Sequence, residues 1–368
     1  MLTVGVVGWS LATFITPFAA AGGVAQLVAA RVALGAGEGV AFPAVHALIS
    51  RHVPKDRQST AVAAVTAASY SGAAFAFGVT PAVVLKGGWE AAFFTFGTAA
   101  ILWIPFWLPA EFSRVNDGDD DDDETSRSVG GGGVGSSGRE GNQRVGGGGV
   151  VSEWFALVKT PEVRAICAAQ FAQSWGGYGL LSWLPTYFDE ALGVPLGDLP
   201  AFTVLPYFIQ GVVGVGSGIW ADGLVRQGKY TVKFIRRAFQ TVGMVGPAAC
   251  LLFASSLGAD NATAAAFFVD LGLALSALTL AGVSVSHLDV APRHAGLVFA
   301  TGNTCATIAG VVAVPFSGLV LETTGNSWSV VFAIISGVYV MGAVAWCLWV
   351  GDTPVEEDLL GTPGKAIF

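Results

Sequence analysis

Arg31-Val32-Ala33-Leu34-Gly35-Ala36-Gly37-Glu38-Gly39-Val40-Ala41-Phe42-Pro43 sets one positive and one negative charge inside an apolar run. Arg31 and Glu38 are the only ionised side chains between Ala19 and Ile49. A helix over this segment carries both charges at or below a membrane surface, where an ionisable group persists only with a partner, a water-filled cavity or a function. Seven residues make about two helical turns, roughly 10.5 Å of rise, so both side chains leave one face and can reach one cavity. Gly35, Gly37 and Gly39 thin the surface between them, which lets a neighbouring helix approach closely.

The other residues agree with a membrane setting. Of 368 residues, 53% are hydrophobic and 12% charged, 50 are glycine, and the mean hydropathy is +0.63. A soluble domain of this length could not hide so much apolar surface. The expected fold class is therefore an all-α polytopic membrane protein. The net charge of −8 is local: eight acids and one base between Glu111 and Glu124 account for −7 of it. The membrane body is nearly neutral, and no nucleic-acid partner is expected. Cys167, Cys250, Cys305 and Cys347 stand singly in apolar runs without CxxC spacing, which suits small core residues. The chain opens in a hydrophobic run without a basic leader, so no targeting segment is expected.

A span needs about 20 mainly apolar residues. That rule predicts ten: Leu2–Ala21, Val24–Ser50, Thr60–Leu85, Ala91–Leu108, Val163–Tyr187, Phe202–Leu224, Ala238–Leu257, Ala262–Ser286, Gly296–Leu321 and Ser329–Val350. Bases collect in every second connection, as they do on the cytoplasmic side of a membrane, which puts both ends of the chain on that side. Residues 111–158 combine an Asp run with Gly-rich low-complexity sequence that cannot bury enough apolar surface to order itself, so a disordered inner loop is expected there. It separates an N-terminal bundle of four spans, 1–110, from a C-terminal bundle of six, 159–351, with an inner tail at 352–368. A long inner loop between bundles suggests two equal halves around a midplane site, so two spans are expected to be missing in front. An internal echo supports the halves. Arg51 to Arg57 after the second span and Asp289 to Gly296 after the eighth are both proline-marked, basic inner turns.

The loop around Asp222, Arg226 and Arg236 resembles the inner loop between the second and third helices of a half in the major facilitator superfamily, with its Gly-Arg-Arg/Lys run degraded here. More specifically, Arg31 to Pro43, Arg51 to Arg57, Ser174 to Phe188, Gln240 to Pro247 and His287 to Pro292 resemble the anion/phosphate transporter family, which includes plant plastid anion transporters, vesicular glutamate transporters and sialin. The resemblance spans nearly the whole chain except the linker and aligns its start with the third helix of twelve. It implies a major facilitator fold and secondary active transport of a small anion, inorganic phosphate or an organic carboxylate, coupled to protons or sodium by alternating access. Arg31 then falls on the substrate-binding arginine, and Glu38 on the glutamate that couples a proton or gates the cavity. Gln173 stands where the vesicular glutamate branch has an arginine, which favours the plant or algal branch and, by family analogy, a plastid envelope.

Each residue also has a plainer role. Arg31 could extend to the membrane surface instead of gripping an anion, although its guanidinium fork suits carboxylate or phosphate oxygens. Glu38 could pair with Arg31; as a proton carrier it exploits the penalty that burial places on its charged form. Tyr178, Ser182 and Asn303, with Thr304 and Thr307, either line a cavity or hydrogen-bond between helices. Asp222, Arg226, Arg236 and Asp289 lie at inner helix ends, where charge clusters lock one conformation. Asp270 lies inside the eighth span and is either a second proton site or a buried or outer-end structural acid. His46, His52, His287 and His294 lack metal-ligand spacing, so no metal is assigned, and no cofactor is implied. Ser217 lacks a Gly-x-Ser-x-Gly elbow and the glycines near Glu38 follow no strand, so an enzyme is not expected. The expected partners are the anion, its coupling ion and the lipid bilayer. The alternative is a truncated, transport-incompetent membrane protein, or an incomplete gene model, acting by association only. Two further apolar spans encoded in frame before Met1 would favour the transporter.

Overall fold

The computed structural model describes residues 2–105, 107, 150–193, 199–257, 261–351 and 353–355, and among them there are helices and no strands. The helices are α1 (Leu2–Gly22), α2 (Val24–Glu38), α3 (Ala41–His52), α4 (Gln58–Ile101), α5 (Val150–Val158), α6 (Pro161–Thr186), α7 (Leu199–Gln227), α8 (Val232–Ser256), α9 (Ala262–Ser276), α10 (Val283–Val290), α11 (Ala295–Thr324) and α12 (Trp328–Trp349). Seven helical stretches in the described residues are long and apolar enough to cross a membrane, among them Leu2–Gly22, Val24–His52 and Ala262–Val290. The other three expected spans fall on α4 and α6, so helix stands at each expected place without establishing a count of ten.

The helices begin and end where side chains can serve the unpaired backbone groups of their terminal turns. Thr160 Oγ1 accepts from the Val163 N–H at the start of α6, and Thr231 Oγ1 accepts from the Phe234 N–H at the start of α8. Gly88, at φ 77° and ψ 175°, bends α4 at a conformation open to glycine, which divides the segment into the two helices expected there. The span expected over Val24–Ser50 is broken: α2 stops at Glu38 and α3 starts at Ala41, because Pro43 has no N–H to continue the ladder. The span expected over Ala262–Ser286 is broken as well. A 3-10 turn, Ala277–Ala281, and Gly282 separate α9 from α10, and Gln240 Oε1 accepts the Val283 N–H at 2.9 Å in place of a helical carbonyl.

The chain forms two compact units, one made of residues 1–41 and 80–150, the other of residues 42–79 and 151–368. In the first, α1 packs on α2 at glycine: a Cβ on Gly37 would lie 2.9 Å from the Trp9 amide nitrogen. In the second, an aromatic and aliphatic core gathers Phe188, Met244, Phe332 and Tyr339, and a further cluster surrounds the fully buried Trp346. The disordered loop expected over 111–158 lies outside the described residues up to 149. From Val150 the chain is helical, because Trp154 and Leu157 of α5 are three apart on one face: Leu157 is buried and Trp154 Nε1 donates to Thr301 Oγ1 at 2.9 Å. Of the tail at 352–368 only 353–355 are described, and the Val355 N–H donates to the Val290 carbonyl at 2.9 Å.

Candidate functional site

Arg31 and Glu38 stand two turns apart on the single helix α2, hence on one face of it. Both are exposed on the surface of their unit, and the Arg31 charge acts on the Glu38 carboxylate without forming an ion pair with it. The Arg31 guanidinium lies over the Phe93 ring of α4, 5.0 Å from its centroid. An aromatic face attracts a cation yet occupies none of its N–H donors, so the fork stays open to an oxyanion. The sequence offered no sign of Phe93.

A second constellation belongs to the larger unit, at the inner ends of its helices. Asp222, near the end of α7 and 2% exposed, accepts three hydrogen bonds from the first turn of α4: Ser59 N–H to Oδ1 at 3.1 Å, Thr60 N–H to Oδ2 at 2.7 Å and Thr60 Oγ1 to Oδ2 at 2.6 Å. It caps that helix from another part of the chain and sets a negative charge against the positive end of the helix dipole. The approach depends on Gly218, one turn earlier, where a Cβ would meet the Ser59 carbonyl oxygen at 2.7 Å. Arg236, 1% exposed on α8, donates through Nε to Asp289 Oδ2 at 2.8 Å and through Nη1 to Ser59 Oγ at 2.9 Å and the Ala281 carbonyl at 3.1 Å. Three of the four inner charges singled out from sequence thus converge around Ser59. Arg226 is exposed, and among the described residues no bond links it to them.

Tyr178 and Ser182 are exposed one turn apart on α6, and Asn303 is exposed on α11. The Tyr178 ring lies against Gly310 of α11, where a Cβ would come within 2.6 Å of it, and the Asn303 carbonyl accepts from Thr307 Oγ1. These side chains therefore share the α6–α11 flank, apart from the charge cluster. Ser59 and Thr60 were missed, although a Ser-Thr pair after Pro54 and the basic turn is an ordinary helix-start signal. His46 and His287 were set aside singly, yet they meet: His287 Nε2 and His46 Nδ1 are 2.9 Å apart, both buried, with the His46 ring stacked on Phe299 at 4.0 Å. No local pattern joins residues 241 positions apart.

The family model described as Major Facilitator Superfamily matches residues 1–314. "Sodium-dependent phosphate transport protein 1, chloroplastic" of Arabidopsis thaliana is 30% identical over 350 residues, covering 95% of this chain and 65% of that protein. Human sialin is 31% identical over 356 residues, covering 95% of this chain and 69% of sialin. This chain thus spans about two thirds of the length of these relatives. The solved structure of the proton:xylose symporter XylE matches with a TM-score of 0.68 at 15% identity, covering 96% of this chain and 80% of that one, a likeness of fold.

Proposed function

The chain belongs to the major facilitator superfamily, and from that premise we propose that it is a multi-pass secondary transporter of a small anion, inorganic phosphate or an organic carboxylate, working by alternating access. The observation that carries this reading is the pair Arg31 and Glu38 on one face of an apolar helix, with the arginine held over Phe93 and its donors free. Arg31 grips the anion's oxygens in two parallel bonds. Glu38, two turns along the same face, couples or gates. Tyr178, Ser182 and Asn303 contribute polar contacts to the substrate path. Asp222, Arg236 and Asp289 hold one conformation through the first turn of α4, with Arg226 at the edge of the same inner surface. The similarity to chloroplast anion and phosphate transporters supports the anion class and favours a plastid membrane.

Uptake of radiolabelled phosphate, glutamate and ascorbate into proteoliposomes tests the reading. Saturable uptake of one of them is expected, with at least a tenfold loss in Arg31→Ala and a smaller loss in Arg31→Lys, which keeps the charge without the fork. An Arg31→Ala protein that is folded and transports as the parent does would remove the assigned role.

A further inference from the structure

The helix α9 carries one ionisable residue, Asp270, to which the transport scheme above gives no task. It lies eight residues beyond Ala262 in a stretch, Ala262–Val290, that is apolar enough to cross a membrane. At 1.5 Å per residue that is about 12 Å from the helix end. The single methylene of aspartate cannot carry its carboxyl over such a distance to water.

The carboxyl is half-buried, its Oδ1 is shut off from the exterior, and that oxygen has no hydrogen-bond partner. Among the described residues the neighbouring helices supply no cation. α8 meets α9 through Pro247 and Cys250 beside Gly272, and Cys250 is the titratable group on that side. The basic residues of α8, Lys233, Arg236 and Arg237, lie ten or more residues before Pro247, about 15 Å or further along the helix. On α7, Gln210 packs one turn inward of Asp270, and its amide is already spent on the Leu273 carbonyl and Ser276 Oγ, both at 3.1 Å. The charges of α7 among the described side chains, Asp222 and Arg226, stand twelve and sixteen residues past Gln210, about 18 and 24 Å.

An ionised carboxylate here would be an unpaired charge in apolar surroundings, which a protein avoids by neutralising the group. We propose that Asp270 is a proton-binding site, taking up and releasing the proton that drives the transport cycle, so that the coupling ion is H+. The proposal rests on the transporter reading and specifies its ion. The surroundings give the proton something to act on. Inward of Asp270, polar side chains bond along the irregular stretch of the span: Gln210 donates to Ser276 Oγ, and the Thr279 hydroxyl donates to the Ser276 carbonyl and accepts from Gln173. Two residues beyond Thr279, the Ala281 carbonyl takes a hydrogen bond from Arg236 of the inner cluster. Charging or neutralising Asp270 therefore occurs in the outer half of a stretch, Ala262–Val290, that is broken before its inner end.

Two measurements test the site. In the purified chain in lipid nanodiscs, pH-difference infrared spectra are expected to show a protonated-carboxyl C=O band that titrates, is missing from Asp270→Asn and is retained at a shifted position in Asp270→Glu. An Asp270→Asn spectrum identical to the parent's overturns the assignment. In proteoliposomes, with inorganic phosphate as the probe, Asp270→Asn is expected to lose proton-gradient-driven accumulation at least tenfold while keeping exchange of internal for external phosphate, and Asp270→Glu to keep both. Undiminished gradient-driven accumulation by Asp270→Asn overturns the coupling role. A parent protein with a titrating Asp270 band and no phosphate flux of either kind would support the proton site and count against the transporter reading alone.

Discussion

Replacing Arg236 by methionine keeps most of the apolar stem and removes every donor. Asp289, 12% exposed, then keeps its charge and loses its 2.8 Å partner, while Ser59 Oγ and the Ala281 carbonyl lose theirs. Removing one member of a buried ion pair costs about 3–5 kcal/mol, chiefly because the other charge remains buried without compensation. At roughly 2–4 °C per kcal/mol for a unit of this size, a loss near 3 kcal/mol lowers the melting midpoint by about 6–12 °C. Asp289→Asn removes the acid while Arg236 retains its bonds to Ser59 and Ala281, so its loss should be smaller. The double variant Arg236→Met/Asp289→Asn carries neither charge and should lose about 2 kcal/mol less than the two single losses summed. Thermal unfolding of the four proteins in one detergent, followed by intrinsic tryptophan fluorescence, measures this coupling. Losses that add to within about 0.5 kcal/mol would refute it, because neighbours sharing a buried pair cannot be independent.

Other predictions concern the close contacts around this pair. Gly218→Ala places a Cβ 2.7 Å from the Ser59 oxygen and should destabilise by about 1–3 kcal/mol, whereas Gly216→Ala, with open space at its Cβ, should be neutral or stabilising by up to about 1 kcal/mol in the same melts. Thr60→Val preserves shape and deletes the 2.6 Å hydroxyl bond to Asp222, a loss of about 1.5–3 kcal/mol; an unchanged midpoint would mean that the charged acceptor gains nothing from it. His46→Phe keeps the stacking on Phe299 but leaves His287 Nε2 unpaired, at about 1–3 kcal/mol, and His46→Phe/His287→Phe should lose less than the two single changes combined.

Helices were legible because their cause is local. Apolar runs of span length, bases in alternate connections and prolines at the inner turns all lie in consecutive residues, so α1, α6, α7, α11 and α12 could be placed within three positions at each end. The two broken spans were not. The break before α3 was hinted at by Gly39 and Pro43, but the break before α10 depends on Gln240 reaching the Val283 amide from another helix, and nothing near Gly282 in sequence announces that. The helix at Val150–Val158 was hidden for a similar reason. Its apolar residues adjoin a glycine-rich run, and what orders them is contact with residues such as Thr301, far along the chain.

The charges were legible and their partners were not. A carboxylate or a guanidinium inside an apolar run stands out because burial is costly for either alone, so Arg31 and Glu38 could be singled out from position, and Asp222, Arg236 and Asp289 from their place at inner helix ends and the family resemblance. What each one faces is settled by packing across distances of 53 to 177 residues, as for Arg236 with Asp289 and with Ser59. The amino-acid sequence by itself determined that the chain is helical, membrane-embedded and charged at a few chosen points, since hydrophobic burial and helix length act locally. The tertiary structure alone decided that Asp222 caps α4, that Phe93 lies beneath Arg31 and that Asp270 has no counter-charge among the described residues, because short-range contacts form between whichever helices the fold brings together.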